Sequence, residues 1–222
     1  MIQILYTFLS KEFYETSLQE QLKIFPNDFT NKICKYKRWQ DQQASVLGRL
    51  LLIRGIADFY DKQINGSDIG INENGKPFLK DSDIEFNISH SGELVICTIQ
   101  KTLPVGIDIE EMKEIQIEDF FYQMTENESA TIKNSTDQKR AFYNYWTQKE
   151  AVLKANGKGL SVPLKSFEII ENQTQLYKDE WYVSKLSIHP EYSCHMAAKQ
   201  KSKYIIYYVD HREINTFIEK VN

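Results

Sequence analysis

The sequence predicts a mixed α and β protein, and two kinds of pattern predict it. Apolar residues recur at three- and four-residue steps over 44–60, where Val46, Leu50, Ile53, Ala57 and Tyr60 form one stripe. A second helix is expected over 138–155, with Phe142, Tyr145, Trp146 and Leu153 on its buried side. Around these lie short runs rich in β-formers with two-residue alternation. Of the 222 residues, 41% are hydrophobic and 26% charged, with 9 Gly and 5 Pro. Collagen-like, low-complexity and largely disordered chains are thereby excluded. A chain of this length buries roughly 70% of its unfolded surface and needs no disulfide staples.

In chain order, residues 2–9 read as a strand and the charged stretch 11–23 as a helix. Asn65-Gly66 and Asn74-Gly75-Lys76-Pro77 mark turns on either side of a short connector. Strands follow at 84–88, 94–100 and 105–110, the first two joined at Ser91-Gly92-Glu93 as a tight hairpin. The polar stretch 111–137 reads as short helices. Gly157, after the last turn of the helix over 138–155, is its stop signal. The remainder alternates as strands at 167–170, 181–188, 192–197 and 204–209. No long linker appears, so a boundary between halves 1–104 and 105–222 falls at the Pro104 turn.

Net charge is −4, from 27 basic and 31 acidic residues. A protein held on nucleic acid by phosphate contacts is normally basic, so that class is disfavoured. Cys34, Cys97 and Cys194 are isolated, with no CxxC pair or zinc-ligand spacing. The segment Met1-Ile2-Gln3-Ile4-Leu5-Tyr6 lacks the basic start of a signal peptide, and no apolar run approaches the roughly 20 residues of a membrane span. The expected compartment is the cytoplasm.

Three segments could carry chemistry. In Gly106-Ile107-Asp108-Ile109-Glu110, strand alternation puts Asp108 and Glu110 on one face. At about 6 Å and an effective dielectric near 20 they repel by roughly 3 kcal/mol, which a hard cation such as Mg²⁺ would relieve. The competing reading is an edge strand with two solvated acids. In Trp146-Thr147-Gln148-Lys149-Glu150-Ala151-Val152-Leu153-Lys154, helical spacing lines up Trp146, Glu150 and Lys154. Taken alone, Glu150 and Lys154 could be an ordinary helix ion pair of about 0.3–0.5 kcal/mol. In Phe86-Asn87-Ile88-Ser89-His90-Ser91, hydroxyls and an imidazole at a strand end suit phosphate oxygens. A serine hydrolase fits poorly, because GxSxG is absent and Ser89 and His90 are adjacent.

The order and combination of these segments are far more specific than any one of them. Gly75-Lys76-Pro77, Asn87-Ile88-Ser89-His90-Ser91, Gly106-Ile107-Asp108-Ile109-Glu110, Trp146 with Lys149-Glu150 and Lys154, then Gly157-Lys158-Gly159-Leu160 together resemble the 4′-phosphopantetheinyl transferases. The likeness is to their longer, single-chain type and runs from about Lys32 to Leu160.

The resemblance implies an α+β fold of two similar halves about a pseudo-two-fold axis. Each half would pack a sheet on a long helix, with the active site in the cleft between them. It implies transfer of the phosphopantetheine arm of coenzyme A to a serine of an apo acyl or peptidyl carrier protein, with release of 3′,5′-ADP. It makes Asp108, Glu110 and Glu150 the Mg²⁺ ligands, and Lys154 a contact of the pyrophosphate. Ser89 and His90 would bind coenzyme A phosphates, His90 the 3′-phosphate, and Gly75-Lys76-Pro77 would form the adenine turn. Lys32 and Ser45 match positions that contact the 3′-phosphate. The sequence departs from the pattern at Ala44 and Phe29, where basic residues are common, leaving Lys35, Lys37 or Arg38 to help. Glu150, Glu126 or a metal-bound water could take the serine proton. The segment 111–137 is the candidate carrier-docking surface, the competing reading being a solvated connector with a buried aromatic cluster, and a chain with both halves is expected to be a monomer. Two rivals are an Mg²⁺-dependent nuclease and a non-catalytic binder of coenzyme A or carrier. The nuclease spacing fails at Met112, and the binder would have lost an acid.

Overall fold

Ser10 begins the first helix by accepting a hydrogen bond from the Phe13 N–H, and the residues before it form an almost wholly buried strand. The computed structural model describes residues 1–158 and 162–221. The fold is α+β. Its strands are β1 (Ile2–Phe8), β2 (Ile69–Ile71), β3 (Pro77–Leu79), β4 (Ile84–Ser91), β5 (Leu94–Lys101), β6 (Val105–Glu111), β7 (Gln173–Leu176), β8 (Asp179–Lys185), β9 (Tyr192–Ala198) and β10 (Tyr204–Tyr208). Its helices are α1 (Lys11–Leu22), α2 (Asn27–Ile33), α3 (Trp39–Tyr60), α4 (Glu126–Lys133), α5 (Gln138–Asn156) and α6 (His211–Val221).

The chain divides into two units, 1–102 with 203–222, and 103–202. The segment 203–222, expected with the second half, belongs to the first. Its strand β10 adds to β1 in parallel, pairing Ile4 with Ile206, and α6 then packs against α1 and α3. This is a non-local pairing that local alternation cannot announce.

In the first unit the sheet order is β10-β1-β5-β4. Helix α3 lies on this sheet and also meets α1, α2 and α6. It is therefore buried nearly all round: Val46, Leu47, Leu50, Leu51, Leu52, Ile53 and Ile56 are all at most 1% exposed. The expected stripe was one part of a broader apolar surface. A two-residue turn at Gly92-Glu93 closes β4 onto β5, and Gly92 takes a φ of +55° that few other residues accept.

In the second unit the order is β6-β9-β8-β7, all antiparallel. Helix α5 packs on β6, β8 and β9. Asp137 caps its start, accepting from the Arg140 N–H at 2.9 Å. Gly157 ends it at φ +79°, its N–H reaching the Leu153 carbonyl at 2.9 Å. Gly159 and Leu160 of the matched motif lie outside the described residues. The strand expected over 167–170 does not form. A 3₁₀ turn at Leu164–Ser166 precedes it, and only an isolated bridge joins Ile170 to Gln173. The short α2, β2, β3 and β7 had no strong period to betray them, whereas α6 carries a clear helical one in Ile214, Phe217 and Ile218 that the sequence reading missed. All three cysteines are free thiols.

Candidate active site

Each unit holds part of the expected residue set. In the second unit, alternation along β6 turns Gly106, Asp108 and Glu110 to one face, and that face is the one under α5. The observations that decide this are the Lys154 ammonium 2.5 Å from Asp108 Oδ1 and the approach of Gly106 to the α5 backbone at Ala151 and Ala155. Asp108 is 3% exposed, so the alternative of a solvated edge acid does not describe it. Glu150, one turn before Lys154, is half-buried. Burial pushes its carboxyl above the usual range, and the charges of Asp108 and Glu110 add to the push, while Lys154 opposes it. The three acids and the lysine thus share one electrostatic neighbourhood between β6 and α5.

The donor chemistry of this cluster fits a hard divalent cation. All the acidic donors are oxygen, and crowded carboxylates near a single ammonium are relieved by added positive charge. The side chains do not converge on one point, however. Among the described residues no three acidic, histidine or cysteine side chains stand close enough to hold a metal. Lys154, expected at a pyrophosphate, here pairs with Asp108.

A polar layer behind this cluster escaped the sequence reading. Ladder pairing sets His195 of β9 opposite Asp108. Its Nδ1 lies 2.7 Å from Thr147 Oγ1 and its Nε2 3.4 Å from Gln148 Nε2. Ser193 Oγ lies 3.0 Å from Thr147 Oγ1 and donates to Asn144 Oδ1 at 2.9 Å. These bonds seat α5 on β9. The signal was the two-residue spacing of Ser193 and His195, whose meaning depends on the β6–β9 register.

Lys149, quoted as part of the helix motif, points away from Glu150 and is 1% exposed. Its ammonium donates to the Leu164 carbonyl at 2.9 Å, to the Phe167 carbonyl, and pairs with Glu128 at 2.5 Å. All three of its donors are therefore used, and it ties α4 and the 164–167 segment to α5.

In the first unit, β4 carries Ser89, which is buried, and His90, which is exposed. The turn before β3 is built on Asn72. Its Oδ1 accepts from the Asn74 and Lys76 N–H groups at 3.0 and 2.9 Å. Gly75 supplies the φ of +79° that the turn requires. Lys76 follows, its ammonium pushed down by burial and steadied by Glu85. Pro77 opens β3. Lys32 is exposed in the last turn of α2, and Ser45 is half-buried on α3. Glu126, the other candidate base, is exposed at the start of α4.

Comparison with known proteins bears on this residue set. The model of the 4′-phosphopantetheinyl transferase superfamily matches residues 104–209. A second model, for the N-terminal part of a 4′-phosphopantetheinyl transferase, matches residues 14–102. This chain belongs to the 4′-phosphopantetheinyl transferase superfamily. Among its curated relatives, 4′-phosphopantetheinyl transferase gsp of Aneurinibacillus migulanus is 42% identical over 65% of this chain and 62% of its own length. The transferase Sfp of Bacillus subtilis is 39% identical over 62% of each. A putative transferase of Haemophilus influenzae is 28% identical over 93% of this chain and 98% of its own. The chain spans 62% of the length of the first two relatives that it matches. No helix among the described residues is long and apolar enough to cross a membrane.

Proposed function

We propose that this chain transfers the phosphopantetheine arm of coenzyme A to a serine hydroxyl of an apo acyl or peptidyl carrier protein, with Mg²⁺ as its metal. The observation that carries the reading is the seam between β6 and α5, where buried Asp108 meets Lys154 and shares its field with Glu150 and Glu110. Superfamily membership supports the reaction class.

In the transfer, the serine oxygen bonds to the phosphorus that carries pantetheine. The bridging phosphorus–oxygen bond breaks, and 3′,5′-ADP leaves with the electron pair. Asp108, Glu110 and Glu150 would hold the magnesium ion, which when bound offsets charge building on the leaving phosphate. Lys154 exchanges Asp108 for the diphosphate, a move suited to a point charge on a flexible stem. Ser89 and His90 hold phosphate oxygens from β4, and the Gly75-Lys76-Pro77 backbone faces adenine. Lys32 and Ser45 take the 3′-phosphate. Glu150 is our assignment for the acceptor of the serine proton, because it sits on α5 beside Asp108.

The carrier docks on 111–137. Phe120 turns inward against Phe142 and Trp146, at ring separations of 5.1 and 5.6 Å. Tyr122 faces outward, 74% exposed. The protein acts as a cytoplasmic monomer in this reading.

Intact-mass measurement decides the matter. Fatty-acid and nonribosomal apo carriers, incubated with the chain, Mg²⁺ and coenzyme A, are expected to gain one phosphopantetheine mass. No gain on any carrier overturns the reading. Glu150→Gln should remove most of the turnover while leaving the melting temperature unchanged or higher, since it deletes a charge that crowds Asp108. Near-normal turnover in that variant would refute the metal assignment.

A further inference from the structure

Arg49 stands out among the cations of the first unit. It lies on α3 one turn beyond Ser45, so the two share a face. It is half-buried, with its guanidinium carbon 3.6 Å from the centroid of the Phe29 ring. Among the described residues no carboxylate forms an ion pair with it. Asp28 and Tyr36 are near enough to favour its charge, yet burial outweighs them and pushes the guanidinium down to about 10. A half-buried cation with no ion pair among the described residues is stabilised when an anion arrives.

Its surroundings suit one kind of anion. Phe29, whose ring Arg49 covers, lies on α2 three residues before exposed Lys32, so the two occupy neighbouring positions on one helix. Ser45 contributes a hydroxyl from α3, and the Tyr36 phenol is close enough to act on the guanidinium. The ring packs against the guanidinium carbon, which restricts the side chain and keeps its forked donors available for paired oxygens. Two cations and a hydroxyl suit a phosphate monoester better than a carboxylate, because three oxygens must be satisfied.

We infer that Arg49 is a phosphate-binding residue, taking the 3′-phosphate of the donor nucleotide together with Lys32 and Ser45. The inference rests on the transferase reading above and deepens it. Arg49 supplies the charge that Ala44 and Phe29 do not, and Phe29 serves as the platform that orients it.

Calorimetric titration of the full chain with adenosine 3′,5′-bisphosphate and with adenosine 5′-monophosphate tests this without turnover. The wild type should prefer the bisphosphate. Arg49→Gln should lose about tenfold or more of that preference, the scale of one charged hydrogen bond, with monophosphate affinity unchanged. Arg49→Lys should recover part of it, having charge but no fork. A melting curve for each variant separates lost binding from lost fold. A full preference retained in folded Arg49→Gln overturns the inference and leaves the transferase reading standing. If the wild type binds neither nucleotide and modifies no carrier, the transferase reading falls and this inference falls with it.

Discussion

A Cβ placed on Gly106 would stand 2.2 Å from the carbonyl oxygen of Ala151 and 2.3 Å from the backbone nitrogen of Ala155. Strand β6 and helix α5 therefore touch backbone to backbone, two residues before Asp108 and between the turns that carry Glu150 and Lys154. The glycine sets how near the strand acids come to the helix. Any side chain there must push against main chain, which has no rotamer to give.

Gly106→Ala is accordingly expected to cost about 1–3 kcal/mol or more, as overpacking of a close-packed seam does. The loss should appear as a lower urea midpoint with an unchanged slope. Transfer activity in the folded variant should fall further than stability, because α5 is displaced from Asp108. A midpoint equal to that of the wild type would show that the seam is loose.

Lys149 leads to a prediction of a different kind. The side chains of Lys149 and Glu128 are 1% and 12% exposed, so each relies on the other. Lys149→Met leaves the Glu128 carboxylate with the Thr125 N–H but without its counter-charge and should cost about 3–5 kcal/mol. Glu128→Gln should lose a comparable amount. The double variant Lys149→Met, Glu128→Gln should cost clearly less than the sum of the two. Strict additivity in denaturant titrations would refute the coupling.

His211 sets a pH dependence. Its Nε2 lies 2.6 Å from the Phe8 carbonyl, and its ring stacks on Phe13 at 4.6 Å. Its Nδ1 is buried with no hydrogen-bond partner. A proton there would have no acceptor, and burial pushes the imidazole below its usual 6.5 despite help from Phe8 and Asp210. The folded chain keeps His211 neutral where the unfolded chain already binds a proton. Its contribution is thus fully present above the unfolded value and is lost as pH falls through it, with a slope of at most about 1.4 kcal/mol per pH unit. An NMR titration should find the His211 imidazole below the free value, and His211→Gln should flatten the decline in stability between pH 7 and pH 5. A His211 midpoint at or above the free value would overturn the assignment.

How much of this was legible beforehand differs from element to element. The stripe from Val46 to Tyr60 and the stop at Gly157 are local patterns, and both helices formed there, the first beginning five residues earlier than expected, at Trp39. Strand β6 likewise followed from Asp108 and Glu110 alternating with isoleucines. Residues 167–170 misled, because a short apolar run has no period long enough to separate strand from coil. Lys149 and His195 were also unreadable in their roles. A lysine looks solvated until α4 and the 164–167 segment are known to cover it, and a histidine on β9 has no meaning before its register against Asp108 is known.

Local periodicity and turn residues settled the mixed helix-and-strand class and the main elements, because each depends on residues within a few positions of one another, whereas the α+β arrangement and the superfamily followed from the order and combination of motifs between Gly75 and Leu160. Tertiary structure alone decided that the tail returns to β1, that Asp108 is buried against Lys154, that Lys149 is a buried tie, and that Arg49 lies on Phe29 with no ion pair among the described residues. Those facts depend on contacts between residues far apart in the chain, where burial and charge are set by whatever the fold brings alongside.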